Sequence, residues 1–262
     1  MTATTANDDL LSGLAALGLR ASKEALLAFL THAHKSRLGP TQTLEEFVAL
    51  ERRSREATNL ARRSRAACLG SFKLRDQIEW AHPRKLDRPL LDHVFTLGFI
   101  PPGHNILLRG PSGVGKTMLA KILGHEALLA GFTVRFITLA AALADLLQQE
   151  SLPAFERRIK RYLQPQLLIL DELGYLPCDS RAADLLYNVI SRRHEHRSTI
   201  ITTNLAFKQW GTVFPGAACV GALVDRFAQH CHCIDIDADS WRNRHGIERD
   251  QAPASPSPVK PR

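Results

Sequence analysis

The sequence predicts an α/β protein in which a parallel sheet, covered by helices on both faces, follows a small all-α module. Two observations carry this. From Asn105 onward, short apolar and β-branched runs alternate with stretches of helical spacing. That is the pattern of strands buried on both faces and joined by helices. Before about residue 70, apolar residues recur only at helical intervals.

In the first module, Leu10, Leu11, Leu14 and Leu17 mark one helix. A second is expected after Ser22, with Leu26, Leu27, Phe29 and Leu30 as its apolar face. The run "GPTQT" breaks the pattern. Thr43 and Glu46 then have the spacing of a capping box, so a long helix is expected from Leu44 to about Cys68. Residues 70–100, with Pro83 and Pro89, read as a connector. Strands are expected at Ile106–Arg109, Thr133–Thr138, Leu167–Leu170, Thr199–Thr203 and Cys233–Ile236. The end, "QAPASPSPVKPR" from Gln251, is rich in Pro and Ser and is expected to be disordered. The domains are therefore expected at 1–75 for the helical module and 76–250 for the α/β domain, with a tail over 251–262.

The first strand runs into Gly110-Pro111-Ser112-Gly113-Val114-Gly115-Lys116-Thr117, a full match to G-x-x-x-x-G-K-[ST]. Glycines let successive N–H groups converge on phosphate oxygens, and the following helix adds the positive end of its dipole. Lys116 supplies a charge for the β- and γ-phosphates, and Thr117 a hydroxyl for Mg²⁺. Met118, Leu119, Ile122 and Leu123 then recur at helical spacing until Gly131.

Further along, "LLILDE" delivers Asp171 and Glu172 to the exit of a buried strand, where ligands gather in parallel sheets. Asp171 is suited to the Mg²⁺ shell, and Glu172 to orienting or deprotonating the attacking water. "STIITTN" repeats the layout and brings Asn204 to the same edge, within reach of the γ-phosphate or the water. Phosphoryl transfer also gains from an arginine supplied by a neighbour. Arg226 in "LVDRFAQHC" is the candidate, with pairing to Asp225 as the alternative; Arg192 and Arg193 are weaker candidates. No guanine-reading NKxD pattern is seen, which favours ATP over GTP.

Composition narrows the partners. The 262 residues carry a net charge of +8, which favours a polyanion, nucleic acid ahead of a membrane surface. On the long helix, Arg52, Arg55, Arg62 and Arg63 fall within an arc of about 100°, a stripe able to track phosphates. Glu51 and Glu56 flank it and can neutralise part of it through i,i+4 pairing. Five cysteines without framework spacing fit a reduced, cytoplasmic setting. The "HCHC" run at His230 to Cys233 is expected as a strand with its cysteines on one face and its histidines on the other, too few ligands per face for a metal. The start carries Asp8 and Asp9 where a secretory leader is basic, and no apolar run approaches the roughly 20 residues of a membrane span.

Taken together, "GPSGVGKT", "LLILDELGYLP", "STIITTN" and "LVDRF" resemble the IstB-like ATP-binding proteins. These are AAA+ ATPases that assist insertion-sequence transposases and are relatives of the DnaC helicase loaders. The resemblance covers roughly residues 10 to 245. It implies an AAA+ sheet with strand order 5-1-4-3-2, self-association with ATP sites at subunit interfaces, assembly on double-stranded DNA, and a partner transposase. Gly110 to Thr117 match Walker A, and Asp171 and Glu172 match Walker B. Asn204 matches sensor 1 and Arg226 the arginine finger. The family's closing Ser-Tyr-Arg element reads Ser240-Trp241-Arg242 here. A helicase loader shares almost every motif and differs in its partner. A nucleotide-gated DNA adaptor would not need Glu172, and a small-molecule kinase would leave the helical module unexplained.

Overall fold

The computed structural model describes residues 3–78, 86–174 and 180–237. The element Ser240-Trp241-Arg242, Pro83, Cys178 and the tail from Gln251 lie outside the described residues. The chain divides into two compact units, Met1–Arg65 and Ala66–Arg262.

The first unit is helical: α1 (Ala3–Ala16), α2 (Lys23–Lys35) and most of α3 (Pro40–Ala67). Ser22 caps α2, its hydroxyl accepting from the Ala25 amide at 3.2 Å. Leu11 and Leu26 are buried, and the rings of Phe29 and Phe47 pack 5.9 Å apart. The Glu51 carboxylate on α3 accepts from the Arg20 and Ala21 amides at 2.9–3.0 Å, holding the approach to α2. α3 begins four residues before the expected Leu44. Proline is well placed in a first turn, where its missing N–H costs nothing, and the Gly39 amide donates to the Gln42 side chain. Thr43 lies inside the helix, its hydroxyl bonding the Gly39 carbonyl at 3.0 Å, and is not the cap that its spacing to Glu46 suggested.

The second unit starts its regular structure earlier than expected. The supposed connector contains α4 (Arg88–Phe95), which Asp87 caps by accepting from the Leu90 amide at 2.9 Å. Pro89 occupies its first turn, where proline suits the start of a helix. Leu91, Val94 and Phe95 are buried.

The sheet comprises β1 (Asn105–Arg109), β2 (Val134–Thr138), β3 (Leu167–Leu173), β4 (Ser198–Thr203) and β5 (Cys231–Asp235). Its order is β2-β3-β4-β1-β5, all parallel, which is the expected 5-1-4-3-2 read from the other edge. Between the strands run α5 (Lys116–Leu129), α6 (Leu139–Leu147), α7 (Leu152–Leu163), α8 (Ser180–Arg193), the single turn α9 (Trp210–Val213) and α10 (Val220–Ala228). Side chains alternate across the strands. Leu107, Leu168, Leu170 and Ile201 pack with apolar residues of α6, α7, α8 and α10. On the other face Ile169 meets α5 so closely that a Cβ on Gly124 would sit 2.9 Å from its Cδ1. Among the described residues no helix is long and apolar enough to cross a membrane.

Arg193 ties the opposite end of the sheet, where the strands begin. It is 1% exposed. Its guanidinium donates to the carbonyls of Tyr162 (2.7 Å), Leu163 (3.3 Å), Pro165 (2.9 Å), Gln166 (3.4 Å) and Ser198 (2.6 Å), and to the Thr199 hydroxyl (3.0 Å). Burial, helped by the charge of Arg197, pushes its pKa down to about 9. Five donors in a fixed fork thus satisfy the carbonyls that end α7 and open β3 and β4. Arg192, beside it, pairs with Glu156 at 3.0 Å. Both guanidiniums are thus engaged within the chain, Arg193 by carbonyls and Arg192 by a carboxylate. Replacing Arg193 with Leu leaves several buried carbonyls unpaired, each costing about 1–3 kcal/mol. Chemical denaturation of Arg193→Leu should therefore show a loss of at least about 3 kcal/mol, with Arg193→Lys in between. An unchanged midpoint would show that the carbonyls find other donors.

Candidate phosphate-binding site

The loop Gly110–Gly115 leaves β1 at the carboxyl edge of the sheet. Its base is fixed on both sides. The Gly110 amide donates to the Thr203 carbonyl at 3.2 Å, and the Ile236 amide donates to the Arg109 carbonyl at 2.8 Å. Position 110 must be glycine, because an added Cβ would lie 2.2 Å from the Ile236 oxygen. Gly115 caps α5 at φ 98°, a left-handed conformation that turns the chain into the helix. Val114 is buried and anchors the loop. Lys116 is also buried, and its ammonium donates to the carbonyls of Gly110 (2.8 Å) and Pro111 (2.7 Å). The cation is thus held within the loop, at the positive end of a 14-residue helix.

Two strands away, β3 presents Asp171, 2% exposed. Its Oδ1 accepts two hydroxyl protons, from Thr117 at 3.0 Å and from Thr202 at 2.5 Å. Glu172, next in sequence, is exposed and has φ 66°. A glutamate in that region costs on the order of 1–3 kcal/mol. It sits where the β3–β4 register slips, Leu170 facing Ile201 and Leu173 facing Thr203. The bulge re-aims the glutamate, and its amide donates to Thr202 Oγ1 at 2.9 Å. The Thr203 hydroxyl donates to the Leu173 carbonyl at 2.7 Å and accepts from the Leu205 amide, fixing the strand exit that carries Asn204. Asn204 is exposed, and its Oδ1 lies 3.3 Å from where a Cβ of Gly174 would be. With φ 102°, Gly174 lets the two strand exits approach.

The structure therefore gathers Gly110 to Thr117, Asp171, Glu172 and Asn204 on one edge. Arg226 is elsewhere. Its neighbour Phe227 accepts through its carbonyl from the Asn105 side chain at 3.0 Å, at the start of β1. Arg109, at the far end of that strand and next to the loop, is about 13 Å away at strand rise. The Arg226 guanidinium stands 5.7 Å from the Tyr187 ring, and among the described residues it forms no ion pair with Asp225.

The basic stripe lies in the first unit. Arg52, Arg55 and Arg62 are exposed and Arg63 is half-buried. Arg55 binds Glu51 at 2.6 Å, the i,i+4 neutralisation that the sequence allowed, and Arg62 donates to Asn59 at 3.3 Å. In β5, Cys231 and Cys233 share a face; the neighbouring thiol and the nearby Arg109 guanidinium hold the Cys233 thiol below its ordinary range. His104 stacks on His230 at 5.1 Å and tilts against His232 at 6.0 Å. Among the described residues no group of three or more His, Cys, Asp or Glu is arranged to hold a metal ion.

Sequence reasoning missed Thr202, Thr203 and Gly174. The two threonines were read only as β-branched strand formers. The available signal was their place in "TTN", on a strand adjacent in the sheet to the one that ends in Asp-Glu.

The chain is similar to known proteins over most of its length. The family model for IstB-like ATP binding proteins matches residues 12–249. An ATP-binding protein of insertion sequence IS21 from Pseudomonas aeruginosa is 32% identical over 215 residues, 82% of this chain and 81% of that one. The corresponding protein of IS5376 from Geobacillus stearothermophilus is 32% identical over 201 residues, 77% of this chain and 79% of that one. Among solved structures, DnaI aligns with a TM-score of 0.52 at 17% identity, over 66% of this chain and 90% of that one, a likeness of fold alone. Because the match runs through the helical unit as well as the sheet, the chain as a whole belongs to the IstB-like ATP-binding protein family.

Proposed function

We propose that this protein binds and hydrolyses ATP, assembles on double-stranded DNA and assists the transposase of an insertion sequence. The observation that carries the ATP reading is the Thr117–Asp171–Thr202 cluster facing a buried lysine in a glycine-rich loop. Its donor set fits Mg²⁺ on a polyphosphate: a hydroxyl and a carboxylate are hard oxygen ligands, and the loop adds a cation and helix-end amides. When bound, the ion neutralises charge on the transferred phosphoryl group. Thr117 and Asp171 hold it, Lys116 exchanges its loop carbonyls for phosphate oxygens, and Glu172 takes a proton from the attacking water. Asn204 orients that water or the γ-phosphate. The helical module over 1–75 is the DNA- and partner-binding part, 76–250 the ATPase and 251–262 a tail. The relatives' place in insertion sequences favours a transposase over a helicase as the partner.

Arg226 acts on the nucleotide of a neighbouring subunit, because its position at the start of β1 sets it apart from this chain's own loop. Each active site then needs two subunits. Lys116→Ala should bind no ATP. Glu172→Gln and Arg226→Ala should bind it and lose turnover, the former by about 10²-fold or more. Mixing Lys116→Ala with Arg226→Ala protein should restore part of the activity, because an intact pocket can meet an intact arginine. A mixture that stays inactive while mixed assemblies are shown to form contradicts a shared site.

The arginine stripe makes the DNA part testable. Replacing Arg52, Arg55, Arg62 and Arg63 together with Gln should weaken duplex binding and flatten its salt dependence by up to about 0.9 per lost phosphate contact. ATP affinity should not change. Arg55→Gln alone should move the slope least, since Glu51 already neutralises it. A salt slope that stays constant in the fourfold variant would assign the stripe to solvent or to a protein partner.

A further inference from the structure

We propose that Thr202 is a positioning residue that holds both acids of β3 in register for catalysis. The inference rests on the ATP reading above and concerns a residue outside the loop and the acid pair. Across the slipped register, Asp171 and Glu172 together oppose the single residue Thr202. An extra residue in a bulge loses its ladder partner, and an unpaired amide there would be costly. Thr202 Oγ1 takes the place of the missing acceptor, receiving the Glu172 amide at 2.9 Å.

A hydroxyl has one proton to give and two lone pairs. The Glu172 amide can only donate, so the proton of Thr202 goes to Asp171 Oδ1 at 2.5 Å. One 1%-exposed side chain therefore sets the carboxylate of one acid and the backbone of the other. A β-branched residue in a strand has few rotamers, so the hydroxyl is already aimed before any ligand arrives. Thr203, the next residue, bonds the Leu173 carbonyl at 2.7 Å. The two hydroxyls together lock the β4 exit, and with it Asn204, to the bulge that carries Glu172.

Valine has the shape of threonine without the hydroxyl, and serine keeps the hydroxyl. In nucleotide-free protein, the Glu172 amide should exchange with solvent at least about 10-fold faster in Thr202→Val than in wild type, since the hydroxyl that accepts from it is removed. Calorimetry should show ATP affinity without Mg²⁺ within about 2-fold of wild type, because the loop is untouched. The gain in affinity on adding Mg²⁺ should shrink, the KM for Mg-ATP should rise by a similar factor, and kcat should fall by about 10–100-fold, as for other residues that orient a ligand. Thr202→Ser should restore each of these. If Thr202→Val does not fold, Thr202→Ala carries the test, because it removes the same hydroxyl without a branched methyl to place. Wild-type exchange and kcat in the hydroxyl-free variant would overturn the proposal. So would a serine variant as impaired as valine. A wild-type protein that hydrolyses no ATP would overturn the function proposed above, and amide exchange would still decide the role of Thr202.

Discussion

The Asp171 carboxylate is the point on which the phosphate-binding edge depends. A buried anion must be paired or hydrogen-bonded. Asp171 satisfies this with two hydroxyls carried by different elements, Thr117 on the helix after the loop and Thr202 on the adjacent strand. Meeting that one demand fixes three things together: the first turn of α5, the exit of β3 and the exit of β4. The loop is then held from its other side by β5, through the Ile236 amide and the closeness that forces glycine at 110. The cluster is built on strand ends and a helix start, which are rigid, so its side chains are aimed without any ligand.

The opposite edge solves a different problem with a buried cation. Carbonyls accumulate where α7 ends and where β3 and β4 begin, and no carboxylate of the described ion pairs answers Arg193. A guanidinium satisfies them because it carries only donors, and its depressed pKa of about 9 still leaves it charged near neutrality. The two ends of the sheet thus divide their work. Arg193 secures the end where the strands begin, and the hydroxyl–carboxylate cluster secures the end where the glycine-rich loop leaves the sheet.

The fold was legible because its signals are local. Strand and helix periods, the glycine-rich turn and acids at strand exits are all written in short windows, and the five strands follow from them, whereas their order came only with the family resemblance. Boundaries were less legible where one residue type serves two purposes. Pro40 was read within a break and Pro89 within a connector, yet each stands in the first turn of a helix. Thr43 has the spacing of a cap, but Gly39 and Gln42 do that work one turn earlier. The site's supporting residues were illegible for another reason. Thr202 matters through a register slip between β3 and β4, and a slip is a property of two strands that neither sequence segment states alone. In the same way Arg193 looked like a candidate for chemistry because its burial at the far edge depends on the whole sheet.

In the proposed site, the metal contribution to nucleotide binding passes through Asp171. The most direct measurement is calorimetric titration of ATP into the wild-type protein and into Asp171→Asn, each with and without Mg²⁺. Affinities without the ion should be nearly equal, since the loop and Lys116 are unchanged. The gain on adding Mg²⁺ in the wild type should be reduced at least about 10-fold in the variant. An Asp171→Asn protein that gains as much from Mg²⁺ as the wild type would contradict the role proposed for Asp171.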